Sequence, residues 1–128
     1  MGNILGIGTD IVDISRVKEL INKNKNFKKR IFSAKEITHC ESKTNKISSY
    51  AKRFAAKEAF AKALGTGISK GVSFHEISIN NNKNGAPFIE LLGNTKTITR
   101  NLIKGKKNIY LSLSDEKKYA LAMVVISR

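Results

Sequence analysis

The sequence predicts an α+β fold: a single domain, residues 1–128, with a mainly antiparallel sheet packed against a long central helix. Three observations predict it. The 128 residues suit one domain with a modest core. Segments with period-two and period-3.6 hydrophobicity follow one another irregularly rather than in strict strand–helix alternation. Two strand pairs flank short polar connections, "NNNKNG" and "DEKK", the arrangement of hairpins.

Each element has its own signal. "ILGIGTDIVDI" opens the chain as a β-rich strand, with Ile4, Gly6, Gly8 and Asp10 on one face and Leu5, Ile7, Thr9 and Ile11 on the other. Asp10 therefore shares a face stripped of bulk by two glycines, a common mark of close approach by a backbone or a ligand. From residue 14 to about 25, Ile14, Val17, Leu20 and Ile21 line one helical side. Ser33 and Glu36 in "SAKEI" form a capping-box pattern that starts a short helix. The long helix runs from about Ile47 to Leu64 and stops where Gly65 can take the left-handed cap. "VSFHEISI" and "APFIELLG" read as strands, with His75 inside the first and Pro87 at the entry of the second. A helix from about Thr95 to Lys104 and the strands "NIYLSLS" and "YALAMVVIS" complete the chain.

The formal charge of +14 points to anionic partners: nucleic acid, phosphorylated small molecules, acidic protein or lipid head groups. A compositional habit of abundant Lys, Asn and Ile is the alternative source of that charge. Lysines are not interleaved with aromatics in a nucleic-acid-reading motif, so no nucleic-acid partner is expected; no membrane partner is expected either. The single Cys40 cannot form an internal disulfide, Asp10 interrupts any secretory pattern, and "YALAMVVI" is too short to span a bilayer. These features predict a soluble cytoplasmic protein. Paired-cysteine zinc spacings, phosphate loops and Ser/His/Asp arrangements are not readable.

The chemistry gathers on "RFAAKEAFAKALGTG", residues 53–67. Glu58 falls on a stripe with Tyr50, Phe54, Ala61 and Gly65, where an ionised carboxylate needs a cation, a metal or donors. A solvated Glu58–Lys62 surface pair is the simple alternative. Asp10, Glu58 and Lys62 together suit phosphate-ester chemistry: one or two carboxylates suffice for magnesium, and a lysine adds a point charge for phosphate. Arg53 and Lys57 add positive potential to the same helix.

Four motifs carry a family resemblance: "GIGTDIVDI" at 6–14, "RFAAKEAFAKALGTGI" at 53–68, "NGAP" at 84–87 and "LSLSDEKKYALAMVVI" at 111–126. Together they resemble holo-acyl carrier protein synthase, the small bacterial type of 4′-phosphopantetheinyl transferase. The resemblance implies a 4′-phosphopantetheinyl transferase-like fold and transfer of the phosphopantetheine arm of coenzyme A to a serine of apo-acyl carrier protein, in support of fatty acid biosynthesis. It implies Asp10 and Glu58 as ligands of Mg2+, with Glu58 and Lys62 catalytic. It places Arg53, Lys62, Gly65, Gly67, Pro87 and Ser114 along the coenzyme A groove, and Arg16 and Arg30 on the side that receives the carrier protein. It also implies a homotrimer with shared active sites. One departure is Asp115, where the family commonly carries histidine; Lys117 and Lys118 are the expected compensation for that acid.

Overall fold

The computed structural model describes residues 3–67 and 71–128. Ile68, at the end of the long-helix motif, lies outside the described residues. In chain order the elements are β1 (Ile4–Asp13), α1 (Ile14–Lys23), α2 (Phe27–Ile31), α3 (Ala34–Glu41), α4 (Lys46–Leu64), β2 (Ile77–Asn81), β3 (Pro87–Leu91), α5 (Gly93–Leu102), β4 (Asn108–Asp115) and β5 (Tyr119–Ser127). β1, β5 and β4 form a three-stranded sheet in that order, and β2 and β3 form a separate hairpin. All three strand pairings are antiparallel.

Helix α4 is the centre of the fold because its side chains are small where it meets the sheet. Ala55, Ala56, Ala59 and Ala63 pack with Phe60 against Ala122, Val124 and Ile126 of β5 and Ile77 and Ile79 of β2. Burial of these apolar surfaces is the main stabilising term for the contact. Gly6 and Gly8 of β1 bring the strand closer still: an added Cβ would collide with the carbonyl oxygens of Ala63 and Ala59, respectively. A second cluster, built on Val17, Phe27, Phe32, Tyr50 and Ala120, seats α1 and α2 against the other end of α4. Phe32 and Tyr50 tilt together at a centroid distance of 4.9 Å.

Local chemistry sets the element ends. Asp13 caps α1 by accepting from the Ser15 amide at 2.9 Å. The Ser33–Glu36 capping box forms at α3. Gly65, at φ 87°, ends α4 in the left-handed conformation. Two details differ from the sequence reading. The strand expected from Val72 begins only at Ile77, because Phe74–Glu76 form a 3-10 turn, which leaves His75 exposed. The five-residue helix α2 carries too few residues to show a helical period. No helix among the described residues is long and apolar enough to cross a membrane.

Candidate active site

The β1–α4 contact determines where the first-strand carboxylate goes. Gly6 and Gly8 let the β1 backbone lie on the turns of α4 that carry Ala59 and Ala63. Asp10, two residues past Gly8, then shares a cleft of about 410 Å³ with Glu58, Lys62 and Arg16. Lys62 donates to Asp10 Oδ1 at 3.0 Å and to the Thr9 carbonyl at 2.9 Å. Its ion-pair partner is thus the strand aspartate, which departs from the simple surface pair with Glu58. The Asp10 side chain is only 16% exposed.

Glu58 is half-buried in the same cleft. Burial, followed by the neighbouring Asp10 carboxylate, raises its pKa above the ordinary value, while Lys62 and Arg16 pull it back. Two carboxylates sharing one cleft, with Asp10 disfavouring the charge on Glu58, suit a hard divalent cation, so the donor chemistry fits magnesium. Among the described residues no group of three or more His, Cys, Asp or Glu side chains gathers as a fuller ligand set. A two-carboxylate site leaves coordination positions for water and substrate oxygens.

A second concavity lies elsewhere on α4. This groove of about 780 Å³ runs between the N-terminal half of α4, the β2–β3 hairpin and β4, and contains Arg53, Pro87, Lys43, Lys52 and Asp115. Arg53 is buried and rigidly held: it donates to Asn81 Oδ1 at 2.7 Å and to Ser49 Oγ at 3.0 Å. Its Nε is buried without a partner among the described residues. None of the residues lining this groove lines the Asp10–Glu58 cleft.

The remaining candidates fall as follows. Gly65 and Gly67 both have positive φ, and their amides return to the Ala61 carbonyl at 3.2 Å, so they close the end of α4. Ser114 is exposed on the outer face of the sheet; its neighbours Ser112, Leu113 and Asp115 line the groove. Arg30 is exposed on α2, outside the cleft lining.

Lys57 corrects the sequence reading. It is fully buried, donates to Glu36 Oε1 at 2.6 Å and to the Phe74 carbonyl at 2.9 Å, and also bonds the Ile77 carbonyl. Burial lowers its pKa to about 8 against the pull of Glu36. It braces α3 and the start of β2 against α4 and adds no free cation to the site. The pairing was missed because Glu36 was accounted for by its capping box, which it also completes. Asp115 is likewise met differently from expectation: the Ser48 hydroxyl donates to it at 2.7 Å and Lys52 lies at 3.4 Å.

The sequence model of the 4′-phosphopantetheinyl transferase superfamily matches residues 6–124. The chain belongs to that superfamily. Within it, the transferase is similar to proteins named holo-[acyl-carrier-protein] synthase: 46% identical over 126 residues to that of Pelagibacter ubique, and 44% identical to one from Vibrio cholerae, with 98% of each chain covered in both cases. Among solved structures, the holo-acyl carrier protein synthase of Neisseria meningitidis superposes with a TM-score of 0.86 at 38% identity, covering 98% of this chain and 100% of that one. The Bacillus anthracis synthase in complex with CoA (3′,5′-ADP) superposes with a TM-score of 0.78 at 33% identity, covering 97% of this chain and 96% of that one.

Proposed function

We propose that this 4′-phosphopantetheinyl transferase moves the 4′-phosphopantetheine arm of coenzyme A to a serine of apo-acyl carrier protein, using the Asp10–Glu58 cleft. The products are holo-acyl carrier protein and adenosine 3′,5′-bisphosphate, in support of fatty acid biosynthesis in the cytoplasm. The observation that carries this reading is the gathering of Asp10, Glu58, Lys62 and Arg16 in one cleft.

Asp10 and Glu58 would hold Mg2+, which would supply charge neutralisation across the diphosphate of coenzyme A. The carrier serine oxygen attacks the β-phosphorus, and the bond to the nucleotide phosphate breaks. Glu58, in the same cleft, is placed to accept the serine proton. Lys62, oriented by Thr9 and Asp10, offsets charge that builds on the leaving phosphate. The chain forms no covalent bond itself, so placement of the two reactants supplies much of the rate.

The groove containing Arg53 and Pro87 is assigned to the nucleotide end of coenzyme A, with Gly65, Gly67 and Ser114 along the path of the substrate. Exposed Arg16 and Arg30 suit an acidic carrier protein, for which charge complementarity speeds encounter. A homotrimer with shared sites is supported by the exposed apolar face of β1, β5 and β4, where Ile7, Ile11, Tyr110, Leu121 and Met123 are open to solvent. The separation of cleft and groove within one chain favours the same assembly, with each site drawing on two copies.

Mass spectrometry of apo-acyl carrier protein incubated with the transferase, coenzyme A and magnesium tests the assignment. Addition of one phosphopantetheine arm, dependent on magnesium and on an intact Glu58, is expected. An unmodified carrier under conditions where the transferase is folded overturns it.

A further inference from the structure

Among the described residues lining the groove of Arg53, Asp115 is an acid facing Lys43, Lys52 and Arg53. Burial and the nearby Arg53 lower the pKa of His39, so at neutral pH it does not add to those cations. Asp115, at the end of β4, is anchored on both oxygens: Ser48 donates to Oδ2 at 2.7 Å, and Lys52 lies 3.4 Å from Oδ1. Both partners of the ion pair remain about a third exposed, at 31% for Lys52 and 35% for Asp115. Their charges are therefore felt by anything entering the groove. A phosphate placed there meets a carboxylate that repels it and that already engages one of the three cations.

We propose that Asp115 is a specificity-determining residue that weakens the hold on the nucleotide end of coenzyme A by keeping Lys52 engaged against β4. The inference rests on the assignment of this groove to that nucleotide. Its consequence is faster release of the product: adenosine 3′,5′-bisphosphate keeps its 3′-phosphate in a groove whose net positive charge Asp115 reduces. Removing the carboxylate while keeping its shape frees Lys52 for the ligand and deletes the repulsion together.

The test is calorimetric binding of adenosine 3′,5′-bisphosphate to the full chain at two salt concentrations, for wild type, Asp115→Asn, Asp115→Glu, Lys52→Met and Lys43→Met. Asp115→Asn is expected to bind about three- to tenfold more tightly with a steeper salt dependence, and to lower KM for coenzyme A without raising kcat. Asp115→Glu, which keeps the charge, is expected to stay near wild type, and the gain from Asp115→Asn is expected to shrink when Lys52 is already Met. Lys43→Met reports on the groove itself. If it weakens binding while Asp115→Asn gives no gain, the nucleotide assignment stands and the role given to Asp115 falls. If Lys43→Met binds as wild type does, the nucleotide lies elsewhere and the inference falls with its premise.

Discussion

Asp10 reaches the cleft because two residues before it have no side chain. Gly8 touches the Ala59 carbonyl so closely that even a methyl group has no room. Gly8→Ala is therefore expected to cost about 1–3 kcal/mol by overpacking and to lower transfer activity by shifting β1, and Asp10 with it, away from Glu58. Urea unfolding and a transfer assay on the same preparation check both effects; unchanged activity would show that the close contact does not position the site. Glu58 has the opposite relation to stability. Its folded pKa lies above its ordinary value because of burial and Asp10. The contribution to stability is thus complete below the ordinary value and is lost as pH rises through the folded one. Without divalent ions, Glu58→Gln is expected to melt higher than wild type at pH 7, with the difference closing as the solution is acidified below the carboxylate range. A lower melting temperature at pH 7 would show that Glu58 is a net stabilising charge.

Elements are held together by buried cations as well as by the alanine seam. Lys57 and Arg53, one helical turn apart on α4, take the two ends of the β2 region: Lys57 holds the carbonyls of Phe74 and Ile77, and Arg53 holds Asn81. Lys57→Met leaves Glu36 buried without its cationic partner and is expected to cost about 3–5 kcal/mol. The Lys57→Met/Glu36→Leu pair is expected to be less damaging than Lys57→Met alone, since neither charge remains uncompensated. Chemical denaturation of the four proteins of this cycle measures the coupling; strictly additive losses would contradict a direct pair. At this scale the sequence was informative where a pattern is local. The capping box at Ser33 and Glu36, the left-handed Gly65 and the two hairpins follow from residue order alone. The Lys57–Glu36 bond joins residues 21 positions apart, and neither period nor cap chemistry encodes that pairing. The 3-10 turn at Phe74–Glu76 left one sign: the alternation of Val72 and Phe74 breaks at the adjacent polar pair His75 and Glu76 before resuming at Ile77 and Ile79.

The whole molecule presents a cleft with acids, a separate groove with cations, and an apolar sheet face between strands that carry parts of both. Asp10 and Asp115 stand near ends of β1 and β4, on either side of β5. The sequence placed Asp10, Glu58 and Lys62 in one set from spacing and charge, and the fold brings them together through the β1–α4 contact. It could not reveal that Arg53 and Pro87 line a different concavity, because that depends on which side of α4 the hairpin packs. If each site uses the cleft of one copy and the groove of another, co-refolded Glu58→Gln and Arg53→Met chains should regain activity. Random mixing in equal amounts restores a wild-type cleft and groove at about a quarter of sites. Activity no higher than the sum of the separate variants would contradict shared sites.

The most direct measurement of the pairing between strand and helix is single-turnover arm transfer, followed over a magnesium titration, for wild type, Asp10→Asn and Glu58→Gln at equal folded concentration. Transfer is expected to fall on the order of a hundredfold or more in each variant, with higher magnesium recovering Asp10→Asn in part. Wild-type rates in either variant, at unchanged magnesium demand, would contradict a joint role for the two carboxylates.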